Sequence, residues 1–228
     1  KIILLINTLS VSSGTCPEIF KDVEFVPTQL SQPSQPAIQT VEINTLNACQ
    51  NGISVIINAV KNGKKVMVVV ELQARFDEEN NIYWADKLQE EGARVIYGVP
   101  GLKVHSKLFI ITARENGKEI YYSHIGTGNF NEKSSRIYTD FSILTSNKDI
   151  AVDLNKIFDF YDNNYKIPSF KKLLVAPFFM RKNFIELINN EIQFAKKKKT
   201  ASITLKMNSL VDKEMINKLY EVKKYINT

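Results

Sequence analysis

Regular alternation of apolar and polar positions begins at Ile53. Ile53–Asn62 repeats apolar residues at helical spacing and is followed by Gly63, a usual stop, so a helix is expected there. Lys65–Leu72 is a nearly continuous β-branched run, which predicts a strand buried on both faces. Glu79–Gly92 returns to helical spacing, with Ile82, Trp84, Ala85 and Leu88 as candidate core. Arg94–Tyr97 reads as a short strand. Lys107–Ala113 and Ile120–Ile125 read as two more, around the turn Glu115-Asn116-Gly117-Lys118. Phe141–Thr145 adds a strand and Ile150–Asp162 a helix. This alternation implies an α/β layer fold with a mixed sheet. After a connector, Tyr165-Lys166-Ile167-Pro168-Ser169, the pattern predicts a strand at Lys172–Val175, a helix at Met180–Lys196, a strand at Thr200–Lys206 and a helix from Asp212. A second unit of about 60 residues with so few strands has difficulty burying a core alone.

Upstream of Ile53 the pattern is lost. Residues 1–52 contain only Lys1, Glu18, Lys21, Asp22, Glu24 and Glu42 as charged residues, together with both cysteines and four of the seven prolines. Gln-Leu-Ser-Gln-Pro-Ser-Gln-Pro at 29–36 reads as a loop or linker, and one strand near Ile2–Ile6 is the element expected in this region. Divergence and a reading-frame error upstream of Ile53 both account for so abrupt a change, and the frame error is favoured. The start at Lys1 and the end at Tyr225-Ile226-Asn227-Thr228 without a closing element lead us to expect a fragment.

Composition narrows the class. The 228 residues are 24% charged and 44% apolar, with a net charge of +6, which excludes a collagen-like or wholly disordered chain. The longest apolar runs, such as Val66–Val70, fall far short of the ~20 residues of a membrane-spanning helix. Ile2–Ile6 after Lys1 is too short for a signal peptide. Two cysteines, Cys16 and Cys49, do not make a disulfide scaffold, and a reducing, cytoplasmic setting is the default.

The chain has two histidines. His105 follows a Gly/Pro-rich loop, Gly98-Val99-Pro100-Gly101, with Lys103 and Lys107 two residues to either side, and period-2 geometry puts all three on one face. Two ammonium groups beside an imidazole lower its pKa and keep it neutral at pH 7, with a lone pair available for attack on phosphorus. The lysines can hold phosphate oxygens as point charges. Read alone, His105 is equally a surface histidine in a basic strand. His124 opens His124-Ile125-Gly126-Thr127-Gly128-Asn129, a turn whose backbone N–H groups could face an anion or merely need glycine, and His124 itself could be structural. Arg75, in Glu71-Leu72-Gln73-Ala74-Arg75-Phe76-Asp77 after the buried strand, could hold phosphate or pair with a carboxylate. Tyr138 could stack on a base, bond a phosphate or belong to the core. Lys196-Lys197-Lys198-Lys199 reads as a solvated helix end that could also draw in a polyanion. No Walker loop, Cys/His metal set or Gly-x-Ser-x-Gly elbow is present.

Taken together, Asn62–Val66, Val69–Glu79, Gly98–Lys107, His124–Asn131, Tyr138-Thr139-Asp140, Leu173–Pro177 and Lys206–Asp212 resemble polyphosphate kinases of the histidine-phosphorylating kind, over about residues 53–222. The resemblance implies a phospholipase D-like mixed sheet flanked by helices. Residues 53–165 would be a first catalytic domain, 166–228 the truncated beginning of a second of the same kind, and 1–52 a poorly matched N-terminal segment. It implies reversible transfer of the ATP γ-phosphate to polyphosphate through a phosphohistidine. His105 matches the phosphorylated residue, and Lys107 completes its His-x-Lys motif. Lys103 and Asn129 fall in the phosphate-binding segments, Tyr138 matches an ATP-contacting tyrosine and Arg75 an arginine associated with the Mg2+ site. ATP or ADP, Mg2+ and polyphosphate are the implied ligands, and the implied setting is a cytoplasmic homo-oligomer, peripheral to the membrane at most, with no nucleic-acid partner. Two features depart from the pattern. Thr112 stands where the phospholipase D motif has an acid, and a gapless count back from Gly63 puts Thr45 where the family has a further metal-associated arginine. A phospholipase D-like phosphodiesterase and a non-catalytic, polyanion-binding remnant are the alternatives.

Overall fold

The computed structural model describes residues 2–6, 37–44, 50–70, 78–130, 137–207 and 209–226. They fall into two compact units, one formed by Val11–Lys172 and the other by Lys1–Ser10 with Leu173–Thr228. β1 (Ile2–Ile6) belongs to the latter.

The Val11–Lys172 unit contains, in chain order, β2 (Ala37–Asn44), α1 (Gln50–Lys61), β3 (Lys65–Val69), α2 (Glu78–Glu90), β4 (Arg94–Ile96), β5 (Lys107–Glu115), β6 (Lys118–Gly126), β7 (Ser142–Thr145) and α3 (Lys148–Asp162). Its six strands form one sheet in the order β4-β3-β2-β5-β6-β7. β2, β3 and β4 run parallel, and β5, β6 and β7 alternate antiparallel. The mixed sheet expected from the pattern is therefore present. The strand β2 was not expected: within the segment read as irregular lies a strand that pairs with both β3 and β5. Its sequence, Ala-Ile-Gln-Thr-Val-Glu-Ile-Asn, alternates only weakly and sits just after four prolines, so only its two neighbours give it away.

The core follows from the periods. α1 places Ile53, Ile56 and Ala59 on one stripe against Val66, Val68 and Val70, and Ala85 and Leu88 of α2 close the same cluster with Phe109, Ile111 and Phe130. Ile82, expected in this core, is exposed; Asn81, one position earlier, takes the buried place because 81, 85 and 88 share a helix face. α1 and α2 both end as the glycines require. Gly63 (φ 73) and Gly92 (φ 97) adopt the left-handed conformation, with Gly63 N donating to Val60 O and Lys64 N to Ala59 O, and Gly92 N to Gln89 O and Ala93 N to Leu88 O. The β5–β6 turn is tight, with Asn116 and Gly117 both at positive φ (50 and 75), as a twisted two-residue hairpin demands.

α3 packs on β5 and β6 and is capped by Asn147, whose side chain accepts from Asp149 N and Ile150 N. One face of this helix holds the chain that leaves it. The fully buried Asp153 carboxylate accepts from Lys171 N (2.8 Å) and Lys172 N (2.6 Å), Lys171 Nζ reaches Asp149 (2.8 Å), and Lys156 Nζ donates to Ser169 O (2.7 Å). The strand expected at Lys172–Val175 does not form. Its first N–H, that of Lys172, is spent on Asp153, and Val175 O accepts from Phe179 N and Met180 N.

In the other unit, α4 (Met180–Lys196), β8 (Ile203–Met207) and α5 (Lys213–Val222) enclose a small core of Phe184, Ile188, Ile192, Met215 and Val222, and β8 pairs in parallel with β1. The observed α4 has the bounds the pattern predicts. Asp212 caps α5 by accepting from Met215 N (2.8 Å) and is itself held by Arg181 Nε (2.8 Å). α4 ends in a Schellman turn, with Lys198 N donating to Ala195 O and Lys199 N to Phe194 O, so Lys198 stands at φ 55 in the position glycine usually takes. A lysine there costs about 1 kcal/mol relative to glycine.

Candidate functional site

The registers decide which segments meet. Asn44 of β2 pairs with Val69 of β3, Ile43 with Phe109 of β5, Lys107 of β5 with Gly126 of β6, and Gly126 with Ser142 of β7. The chain leaving β3, the chain entering β5, the chain leaving β6 and the chain entering β7 therefore all lie at one end of the sheet. His105 and Lys103 precede β5, Asn129 follows β6 and Tyr138 precedes β7, so all four lie on segments at that end. Arg75, with Glu71 and Asp77, lies outside the described residues, as does Thr45.

The approach to β5 is shaped by its own sequence. Leu102 N donates to Val99 O (3.0 Å) across Pro100-Gly101, with Gly101 at φ 75: proline in the second and glycine in the third position of a turn. Val99 and Val104 are buried and anchor the loop. The strand begins only at Lys107, so Lys103 and His105 stand on an irregular approach rather than on the strand, and the shared face expected from a period of two is replaced by direct contact. Lys107, 3% exposed, points its ammonium back at His105: Nζ lies 3.3 Å from Nδ1 and donates to the His105 carbonyl at 2.5 Å. An ammonium has no lone pair, so Nδ1 accepts and the ring proton resides on Nε2. Next to it, the Ser106 and Tyr161 hydroxyls lie 3.1 Å apart and tie the loop to α3.

Burial, then the Lys107 and Lys103 charges, pushes His105 down to about 4. The lysines act as the sequence predicts, but desolvation is the larger cause. His124 is also lowered to about 4, by burial alone. It is 2% exposed, its ring stacks on Phe109 (4.9 Å, 10°) and meets Phe130 at 5.2 Å, and its Nε2 lies 3.1 Å from Ser142 Oγ. Of the readings open for His124, the structure favours the structural one.

A depressed imidazole pKa has a defined consequence for stability. The folded chain binds fewer protons than the unfolded chain between about pH 4 and 6.5, so stability is full above that window and falls as pH drops through it. For the nearly inaccessible His124 the loss is up to about 3 kcal/mol. Urea unfolding at pH 7 and pH 4.5 should show it, and His124→Gln should remove the His124 share of the difference and leave that of His105. Histidine ring NMR signals titrating near 6.5 in the folded chain would contradict it.

The glycine turn after β6 is locked to the segment before β7. Thr127 N donates to Phe141 O (3.0 Å), Phe141 N donates to Thr127 Oγ1 (2.9 Å), and Thr127 Oγ1 donates to Asp140 Oδ1 (2.8 Å). The Asp140 carboxyl packs against Gly128, where a Cβ would lie 2.6 Å from its Cγ. Thr127 N–H is thus spent within the fold rather than offered to an anion. Sequence reasoning gave Asp140, Ser106 and Tyr161 no role. Asp140 stood in a segment already singled out, whereas nothing in the sequence signals that Tyr161 faces Ser106. Tyr138 and Lys103 are exposed and Asn129 half-buried, all open to a ligand. Among the described residues, no group of three or more His, Cys, Asp or Glu side chains could hold a metal ion, and no helix is long and apolar enough to cross a membrane.

Comparison with known proteins extends this picture. The family model described as polyphosphate kinase C-terminal domain 1 matches residues 20–167, and that described as polyphosphate kinase C-terminal domain 2 matches residues 173–225. The first match runs back past the change in composition near residue 52, against the expectation that the reading frame is lost there. Polyphosphate kinases of Escherichia coli K12 and Vibrio cholerae O1 are each 46% identical over 187 residues, which cover 81% of this chain and 27% of theirs. The crystal structure of polyphosphate kinase from Porphyromonas gingivalis superposes with a TM-score of 0.74 at 36% identity, covering 84% of this chain and 32% of that one. The chain thus spans about a quarter of the length of the curated relatives it matches.

Proposed function

The chain belongs to the polyphosphate kinase family, and from that premise we propose that it is the histidine-bearing part of a longer enzyme that transfers the terminal phosphate of ATP reversibly to inorganic polyphosphate. The observation that carries the proposal is a neutral, half-buried His105 in contact with the Lys107 ammonium, at the sheet end where the nucleotide- and phosphate-binding candidates converge.

A ring nitrogen of His105 forms an N–P bond to the γ-phosphorus while the bridging P–O bond breaks and its electron pair leaves on ADP. The nitrogen that attacks must present a lone pair. With Lys107 bonded to Nδ1 and the proton on Nε2, neither nitrogen is free until Lys107 transfers its hydrogen bond to an incoming phosphate oxygen. Binding and activation of the nucleophile are then one event. Lys103 and Lys107 supply positive charge to the equatorial oxygens of the transferring group, where such reactions need stabilisation most. A terminal oxygen of polyphosphate next attacks the phosphohistidine, reforming the neutral imidazole and lengthening the chain by one phosphate. Tyr138 and Asn129 contact the nucleotide and its phosphates. Mg2+ would neutralise phosphate charge, but the described residues supply no donor set for it; Arg75 is its associate by resemblance. Cytoplasmic location, contact with a membrane surface and homo-oligomerisation of the longer enzyme belong to the same reading.

The reading is tested by purifying the 228-residue chain beside the longer polypeptide. The chain alone should turn over ATP plus polyphosphate at a rate no higher than the buffer blank, because it spans only about a quarter of the length of the polyphosphate kinases it matches. The longer protein should form a phosphohistidine. Hydrolysis of bis-p-nitrophenyl phosphate by either would favour a phosphodiesterase instead.

A further inference from the structure

Charge is distributed unevenly between the two units. Lys1–Ser10 with Leu173–Thr228 carry 12 Lys and Arg against 5 Asp and Glu, whereas Val11–Lys172 carry 18 against 19. The surplus is concentrated further by the fold. Ile192 near the end of α4 and Val222 at the end of α5 share one apolar cluster, and Lys196 Nζ lies 4.6 Å from the centroid of the Tyr225 ring. Lys196, Lys197, Lys198 and Lys199 from one helix end thus stand beside Lys223 and Lys224 from the other, and all six are exposed. The nearby carboxylate, Glu221, is engaged by Lys218 Nζ at 2.7 Å. It also feels the charges of Lys196 and Lys224, which places both within one electrostatic neighbourhood.

Lysines at a helix C-terminus ordinarily offset its dipole. Two such ends together amount to about one negative charge, far less than six lysines. The backbone argues the same way, because Lys198 holds the left-handed position at φ 55 where glycine fits without strain. An observed outlier of this kind points to a role for the side chain. The cluster contains no arginine, so it offers mobile point charges rather than planar forks, which suits a flexible, regularly charged polymer more than a shaped anion.

We propose that the lysines at the joined ends of α4 and α5 form a second polyphosphate-binding site, a tether carried by the unit that does not contain His105. This rests on the polyphosphate kinase reading. A polymer held at a second point dissociates from the reactive site without leaving the protein, which raises its effective concentration there.

The test uses the full chain and a variant carrying Lys197→Gln, Lys198→Gly, Lys199→Gln, Lys223→Gln and Lys224→Gln. Binding of polyphosphate of about a hundred phosphates and of tripolyphosphate is measured by calorimetry over a salt series. The variant should bind the long polymer at least tenfold more weakly, with the slope of log K against log salt reduced by roughly 0.7 for each phosphate-bound lysine replaced. Tripolyphosphate binding should not change. Lys198→Gly alone should raise the melting temperature while weakening polymer binding, a combination that a purely structural role cannot produce. Equal polymer binding by the variant and the parent chain would overturn the proposal, as would tighter lysine-dependent binding to phosphatidylserine vesicles or to an oligonucleotide of equal charge. The two readings fail separately. His105→Gln should leave this binding intact, and loss of kinase chemistry in the longer protein would not abolish lysine-dependent polymer binding.

Discussion

Replacing His105 by Gln in the longer kinase should abolish incorporation of acid-labile, alkali-stable phosphate from radiolabelled ATP and reduce polyphosphate synthesis by on the order of 10⁴-fold or more. Glutamine keeps polarity and approximate size but has no lone pair on nitrogen able to displace ADP, so the covalent path closes while the loop is preserved. Val99 and Val104 anchor that loop independently of residue 105, and the Pro100-Gly101 turn does not involve it, so the variant should fold normally. Lys107→Met is the informative companion. It removes the charge at the γ-phosphate and also the donor that holds Nδ1, so transfer should fall by roughly 10²- to 10³-fold. Because the Lys107 charge is one of the causes that lower His105, the imidazole should titrate closer to its ordinary value in this variant. A phosphohistidine that survives His105→Gln would place the nucleophile elsewhere.

The second large effect is expected at Gly128. Alanine there would put its Cβ 2.6 Å from Asp140 Cγ and 3.0 Å from Asp140 Cβ, and a carboxyl on so short a side chain, already bonded to Thr127, has little room to yield. The substitution should break the Thr127–Asp140 bond and loosen the turn from Phe141, at a cost of about 1–3 kcal/mol. It should also raise the KM for ATP, because Tyr138 lies two residues before Asp140 on the segment that is displaced. A double-mutant cycle separates this steric account from a general intolerance of the turn. In an Asp140→Ala background the clash is relieved, and Gly128→Ala should cost clearly less than it does in the parent. Equal costs in the two backgrounds would mean that the carboxyl is not what requires glycine.

Both predictions concern residues that the sequence singles out and atoms that it does not. Local rules are strong where a single residue type decides the backbone. Gly63 and Gly92 end helices, Asn116-Gly117 closes a hairpin and Pro100-Gly101 turns the loop before His105. Each could be read directly, because φ preferences are local. The strands β3, β5 and β6 were legible for a similar reason, since their periods and β-branched residues declare which faces are buried. β2 was not, because a strand with weak alternation is stabilised by its partners, β3 and β5, and partners are not a property of the segment. The strand expected at Lys172–Val175 failed for the converse reason. Its apolar character is genuine, but a carboxylate 19 residues away in sequence, on α3, takes its first N–H, and that of Lys171 just before it.

The same division holds at the site. The residue types, His105 between two lysines and a glycine turn after a strand, together with their resemblance to polyphosphate kinases, were present in the chain itself, because chemistry resides in side chains. Register alone could show that these segments share one end of a sheet. Only packing could show that burial outweighs the lysines in lowering His105, that Lys107 rests on Nδ1, that Asp140 locks the glycine turn, and that two runs of lysine 24 or more residues apart stand side by side. Those are consequences of distance, and distance between residues remote in sequence is set by the tertiary fold.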